Sequence, residues 1–107
     1  MINMQEGADL IWLDNMFCIS GHLTVKNVMA LHQQCLAKSA NCPDYKFDFS
    51  RVSASDSAGL AFVIEWIKLA ETQQKKITFI NLSNGLMDIA LAAGLDQLLK
   101  PLISEKA

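Results

Sequence analysis

The chain has 107 residues, 51% hydrophobic and 19% charged, and a formal net charge of −2. That length and composition suit one domain with a real core, and exclude a disordered chain or a second domain. No basic patch or stripe stands out, so no nucleic-acid partner is expected.

Further exclusions follow from local patterns. No apolar run approaches the roughly 20 residues that cross a bilayer. Asp14, Glu65 and Lys68 interrupt the longest ones. Met1 to Asp9 lacks the positive and apolar regions of a secretory leader, so a cytoplasmic chain without direct membrane insertion is expected. Cys18, Cys35 and Cys42 are odd in number and lack C-x-x-C spacing, so neither a disulfide framework nor a zinc site is expected. Cys18 and Cys35 read as small buried hydrophobes, and Cys42 as a loop residue before Pro43.

In chain order, Leu10 to Leu13 and Met16 to Ser20 are apolar runs joined by Asp14-Asn15, a hairpin. Gly21 breaks the pattern. Thr24 is a plausible N-cap for a first helix, whose Val25, Val28, Met29, His32, Cys35 and Leu36 recur at spacings of three and four. This stripe is the expected buried face, with His32 a satisfied buried histidine. Tyr45, Phe47 and Phe49 alternate with Lys46, Asp48 and Ser50 in a strand with one aromatic face. A polar loop is expected from Arg51 to Asp56, then a helix from about Ser57 to Gln73.

In that helix Leu60, Val63, Ile64, Ile67 and Ala70 form the arc assigned to the sheet. Ala58, Phe62 and Leu69 fall on the other side, beside Glu65, as a possible docking stripe. Lys75-Lys76 is a solvated turn before a strand over Ile77 to Leu82. Ser83 or Asn84 caps the next helix, with Leu86, Ile89, Ala90 and Ala93 inward and Gly94 as its stop. Leu95 to Leu99 adds a turn, and Pro101 and the polar tail Ser104 to Ala107 are expected to fray. The order β-β-α-β-α-β-α predicts a mixed α/β fold. It has about four strands, mostly parallel, an antiparallel N-terminal hairpin, and helices packed on the sheet.

Chemistry-bearing motifs are scarce. A catalytic serine needs a nucleophile elbow and a histidine in reach, and Ser57 has neither in sequence. Asp48 and Asp56 alone do not make an acid/base pair, and His22 has no neighbouring ligand pattern. No phosphate-cradling glycine loop is present. The expectation is a protein without catalytic residues, metal or cofactor.

One segment is informative. Asp48-Phe49-Ser50-Arg51-Val52 closes a strand, and Asp56-Ser57-Ala58-Gly59-Leu60 opens a helix. This resembles the STAS signature, a strand reading D-[LF]-S-x-V followed by D-[ST]-x-G-L. Ile19-Ser20-Gly21-His22-Leu23 resembles the family's entry to its first helix, and Lys75 to Ile80 with Asn84 and the Leu86 helix fit its closing elements. The resemblance spans about residues 8–100, and the whole chain, residues 1–107, reads as a single STAS domain.

Two subgroups fit. Ser50-Arg51-Val52-Ser53, Leu60-Ala61 and Ile67-Lys68-Leu69-Ala70 resemble the MlaB type, the cytoplasmic STAS subunit of a phospholipid-transport ABC system. That resemblance implies a non-enzymatic chain, peripheral to the inner membrane, that binds and regulates or stabilises an ABC transporter ATPase with its permease. The alternative is an anti-sigma factor antagonist, which a partner kinase phosphorylates at the position of Ser57. Ala58 departs from the antagonists, which more often have serine or glycine there. The resemblance makes Ser57 the partner contact or phospho-acceptor, Asp56 the loop holder and Gly59 the point of close backbone approach. Ala58, Phe62, Glu65 and Leu69 complete the expected partner-binding set.

Overall fold

A computed structural model describes residues 7–104. The expectations for residues 1–6 and 105–107 lie outside the described residues. Strand β1 (Ala8–Leu13) and β2 (Met16–Leu23) form a hairpin, followed by α1 (Val28–Ser39), β3 (Tyr45–Ser55), α2 (Ser57–Gln73) and β4 (Ile77–Ile80). Helices α3 (Asn84–Ala92) and α4 (Asp96–Leu99), a single 3-10 turn (Lys100–Leu102) and β5 (Ile103–Ser104) complete the chain. The sheet order is β1-β2-β3-β4-β5. Among the described residues only β1 and β2 are antiparallel; the pairs joined through helices are parallel.

Asp14 and Asn15 both take positive φ, 53° and 60°, the left-handed conformation that a two-residue hairpin turn requires. The α-face of the sheet is then set by a row of side chains in register. Trp12 pairs with Phe17, Phe17 with Phe47, Phe47 with Phe79 and Phe79 with Ile103. The row crosses all five strands. Phe17 stacks on Phe47 at 4.7 Å between ring centroids, and Phe47 on Phe79 at 5.6 Å. Phe17, Phe47 and Phe79 are fully buried, each contributing roughly 1.5–3 kcal/mol by burial. Trp66 of α2 lies over the row, 5.6 Å from Phe17 and 5.1 Å from Phe47.

Several expectations need correction. Among the described residues the sheet has five strands where about four were expected; the added one arises because Ser104 does not fray but pairs with Ile80. Gly21 does not end its strand. At φ +91° it sits in a bulge, and a side chain there would collide with the Gly7 carbonyl oxygen. Arg51 to Ser55 is strand rather than loop, because β2 continues past the bulge to pair Ser20 with Arg51 and Leu23 with Ser55. Polar composition concealed a ladder whose side chains are largely exposed.

Helix α1 starts at Val28 with Asn27 at its cap position, not at Thr24. Instead the Thr24 carbonyl accepts from Asn27 N–H at 3.0 Å and Val28 N–H at 2.9 Å, closing a turn. Consequently Leu31 and Cys35 face the core, while Val25, Met29 and Leu36 are exposed and His32 is only half-buried. Cys18 is half-buried and Cys42 buried, its thiol donating to the Lys38 carbonyl at 3.3 Å. Burial pushes the Cys35 thiol up to about 12, so it is protonated at neutral pH. In α3, Leu86 and Ala90 are buried, Ile89 is half-buried and Ala93 is exposed. Ser83 is its cap, accepting from Leu86 N–H at 3.1 Å.

Candidate partner-docking site

The carboxyl ends of parallel strands β2 and β3 lie side by side, with Leu23 opposite Ser55. Asp56 N–H donates to the Leu23 carbonyl at 3.3 Å. Each strand leads into a helix, so the amino ends of α1 and α2 are neighbours at one end of the sheet. Loops at the carboxyl ends of parallel strands commonly form ligand or partner crevices.

Asp56 has extended backbone, φ −117°, and its Oδ1 accepts from Ala58 N–H at 2.8 Å. The aspartate is therefore the cap of α2, satisfying one of the unpaired N–H groups of the first turn. Ser57 is the first helical residue and is exposed. Gly59 is buried, and a side chain on it would collide with Ser55 Oγ and come within 3.3 Å of the Leu23 carbonyl oxygen. Its close approach is to the protein's own β2 and β3, which presses α2 onto the sheet end.

Beyond Ser57 an apolar groove of about 320 Å³ runs between the two helices. Val25, Val28, Met29 and His32 form one wall; Ala58, Ala61, Phe62 and Glu65 form the other. Val25 is 73% exposed and Met29 69%. The His32 ring stands edge-on to Phe62 at 6.2 Å and to Trp66 at 5.4 Å.

The expected site residues divide on this geometry. Asp56, Ser57, Ala58 and Glu65 lie along one accessible strip. Phe62 is 2% exposed, packed on Phe47, Phe49 and Trp66, so it is groove floor and core rather than a docking stripe. Leu69 is half-buried against the same core. The apolar arc of α2 is wider than expected and includes Phe62 and Trp66, because α1 as well as the sheet packs on it. Val25, Met29 and Ala61 belong to the surface but were not anticipated. The first two were assigned to the core on periodicity that equally fits the series Val28, Leu31, Cys35.

The fold and this helix-capping strip define a STAS domain. Within that class the chain belongs to the family described as "Mlab, STAS domain", which matches residues 16–102. Comparison with curated proteins gives no significant match. Among solved structures, the chain is similar to the anti-sigma factor antagonist SpoIIAA in its unphosphorylated form, at 15% identity and TM-score 0.67, covering 94% of this chain and 89% of that one. A putative anti-sigma factor antagonist from Thermotoga maritima is similar at 13% identity and TM-score 0.72, with 92% and 86% covered. A murine solute carrier 26 family anion transporter is similar at 15% identity and TM-score 0.66, over 85% of this chain but only 16% of the transporter. At these identities the likeness concerns the fold. No helix among the described residues is long and apolar enough to cross a membrane.

Proposed function

We propose that this chain is a non-enzymatic subunit that docks on the ATPase of an ABC phospholipid-transport complex and regulates or stabilises it, in the maintenance of outer-membrane lipid asymmetry. It would lie in the cytoplasm, peripheral to the inner membrane through the ATPase and its permease. The observation that carries the reading is the apolar groove beside exposed Ser57, in a chain of the MlaB-type family.

The roles follow from placement. Met29 and Val25 offer exposed apolar surface for a partner to desolvate. Ser57 contributes a neutral hydroxyl next to that surface, and Glu65 a charge at the rim. Asp56 and Gly59 act at one remove, by setting where α2 begins.

The test is co-purification of tagged protein with the ATPase and permease. Ser57→Asp should lose the complex, because its carboxylate must be stripped of water against the partner. Its melting temperature should change little, since an acid in the first turn suits the helix dipole. An equal loss of folding would return Ser57 to a structural role.

A second reading is favoured by the exposure of Ser57 at a helix start and by the two antagonist-like structures. A phosphate at Ser57 would bring about −1.5 to −2 charges to the groove rim without disturbing the core. In that reading the chain is an anti-sigma factor antagonist released by phosphorylation. Incubation with such a kinase followed by mass spectrometry would find phosphate on Ser57; an unmodified Ser57 counts against it.

A further inference from the structure

The sulfur atoms of the described residues differ sharply in their access to oxidants. Thiols oxidise through the thiolate, and all three here are held away from it. Cys35 is fully buried, which pushes its thiol up to about 12. Burial also raises Cys42, and burial together with the Asp48 carboxylate raises Cys18. A thioether has no proton to lose, so access decides its oxidation. Among the described methionines, Met16 and Met87 are half-buried, whereas Met29 is 69% exposed. Met29 stands in the α1 wall of the groove with Val25, Val28 and His32, facing Ala58, Ala61 and Phe62. The apolar members of that lining carry no side-chain donor, and the Glu65 carboxylate only accepts. His32 has an N–H, but its ring is set edge-on against Phe62 and Trp66. An oxygen added to the Met29 sulfur is therefore solvated by water and by little else.

We propose that Met29 makes the docking groove redox-sensitive: a hydroperoxide converts it to the sulfoxide in the free chain, and the sulfoxide opposes docking. This rests on the docking reading above. In the reaction a lone pair on Met29 Sδ attacks one peroxide oxygen, so that the S–O bond forms as the O–O bond breaks. The sulfur is oxidised by two electrons and the peroxide reduced by two. The departing oxygen takes up the proton and leaves as water, or as an alcohol from an organic hydroperoxide. The product replaces a flexible apolar side chain with a polar one. Its oxygen is an acceptor whose water a partner must strip away when it covers the groove. The change adds polarity without charge, so it acts separately from any modification of Ser57. Docking in turn covers the sulfur, so assembly and oxidation exclude each other.

The test treats the full chain with dilute hydrogen peroxide and maps the added oxygen by peptide mass. Met29 should gain one oxygen before Met16, Met87 or any cysteine, with the melting temperature retained because Met29 is exposed. The oxidised chain should then capture the proposed ATPase and permease roughly five- to a hundred-fold less well, the loss expected from one polar group left unbonded. Methionine sulfoxide reductases should restore capture. Met29→Leu should capture equally before and after peroxide, whatever its own level. Chain already docked should gain oxygen at Met29 more slowly than free chain. An untreated chain that captures nothing overturns the docking reading and this proposal with it. Capture that persists with Met29 fully oxidised overturns this proposal alone. So does oxidation of Met16, Met87 or a cysteine ahead of Met29, a peroxide-induced loss that Met29→Leu shares, or a Met29 that oxidises equally fast when docked.

Discussion

Gly59 sits where three constraints meet: the end of β2, the end of β3 and the first turn of α2. Its motif position reads from sequence as an open approach for a partner, yet the space is already taken by Ser55 Oγ and the Leu23 carbonyl oxygen. Gly59→Ala should therefore destabilise the fold by about 1–3 kcal/mol through overpacking, read as a lower denaturant midpoint. Adding Ser55→Ala removes the atom in the way, and the double variant should recover part of that loss. Equal costs with and without Ser55 would place the strain elsewhere. Asp56, which the STAS resemblance made the loop holder, caps α2 in the structure, its Oδ1 accepting an N–H of the first turn. The exposure of Ser57 is a finding of the structure: Asp56 fills the cap position and leaves Ser57 as the first helical residue, open to solvent.

The helices show where periodicity stops being informative. α2 matched its expected bounds, Ser57 to Gln73, because a long apolar-rich run beginning at an aspartate admits one register. Which of its sides meets water was not legible, since both the sheet and α1 pack on it and Phe62 serves both. α1 is the weaker case. Two overlapping stripes, one through Val25 and Met29 and one through Leu31 and Cys35, satisfy the same spacing, and only the turn at Thr24 to Val28 decides between them. The distinction is measurable. Phe62→Ala should cost roughly 3–5 kcal/mol of stability as a core truncation. Met29→Ala should cost less than about 0.5 kcal/mol, as an exposed surface change, and, on the docking proposal, instead weaken capture of the proposed ATPase partner. A Met29→Ala variant that unfolds as readily as Phe62→Ala would mean that the groove wall is core.

At the scale of the molecule, the alternation of strand and helix set the parallel order and the hairpin set its antiparallel edge, both readable because turn residues and crossovers leave few topologies. The fifth strand was hidden because two residues after a proline carry no periodicity; Ile103 and Ser104 become a strand only by pairing with β4. Arg51 to Ser55 was hidden likewise, its pairing residing in the backbone rather than in its side chains. The interior also has an optical consequence. Trp12 is half-buried at one end of the aromatic row, whereas Trp66 is fully buried with the His32 ring, a wall of the groove, against it. In a Trp12→Phe variant the remaining indole reports from directly beneath that wall. Seating a partner there should alter its ultraviolet emission. The domain thus carries its own dye for the proposed docking, and an emission spectrum indifferent to a saturating partner would show that the partner sits elsewhere.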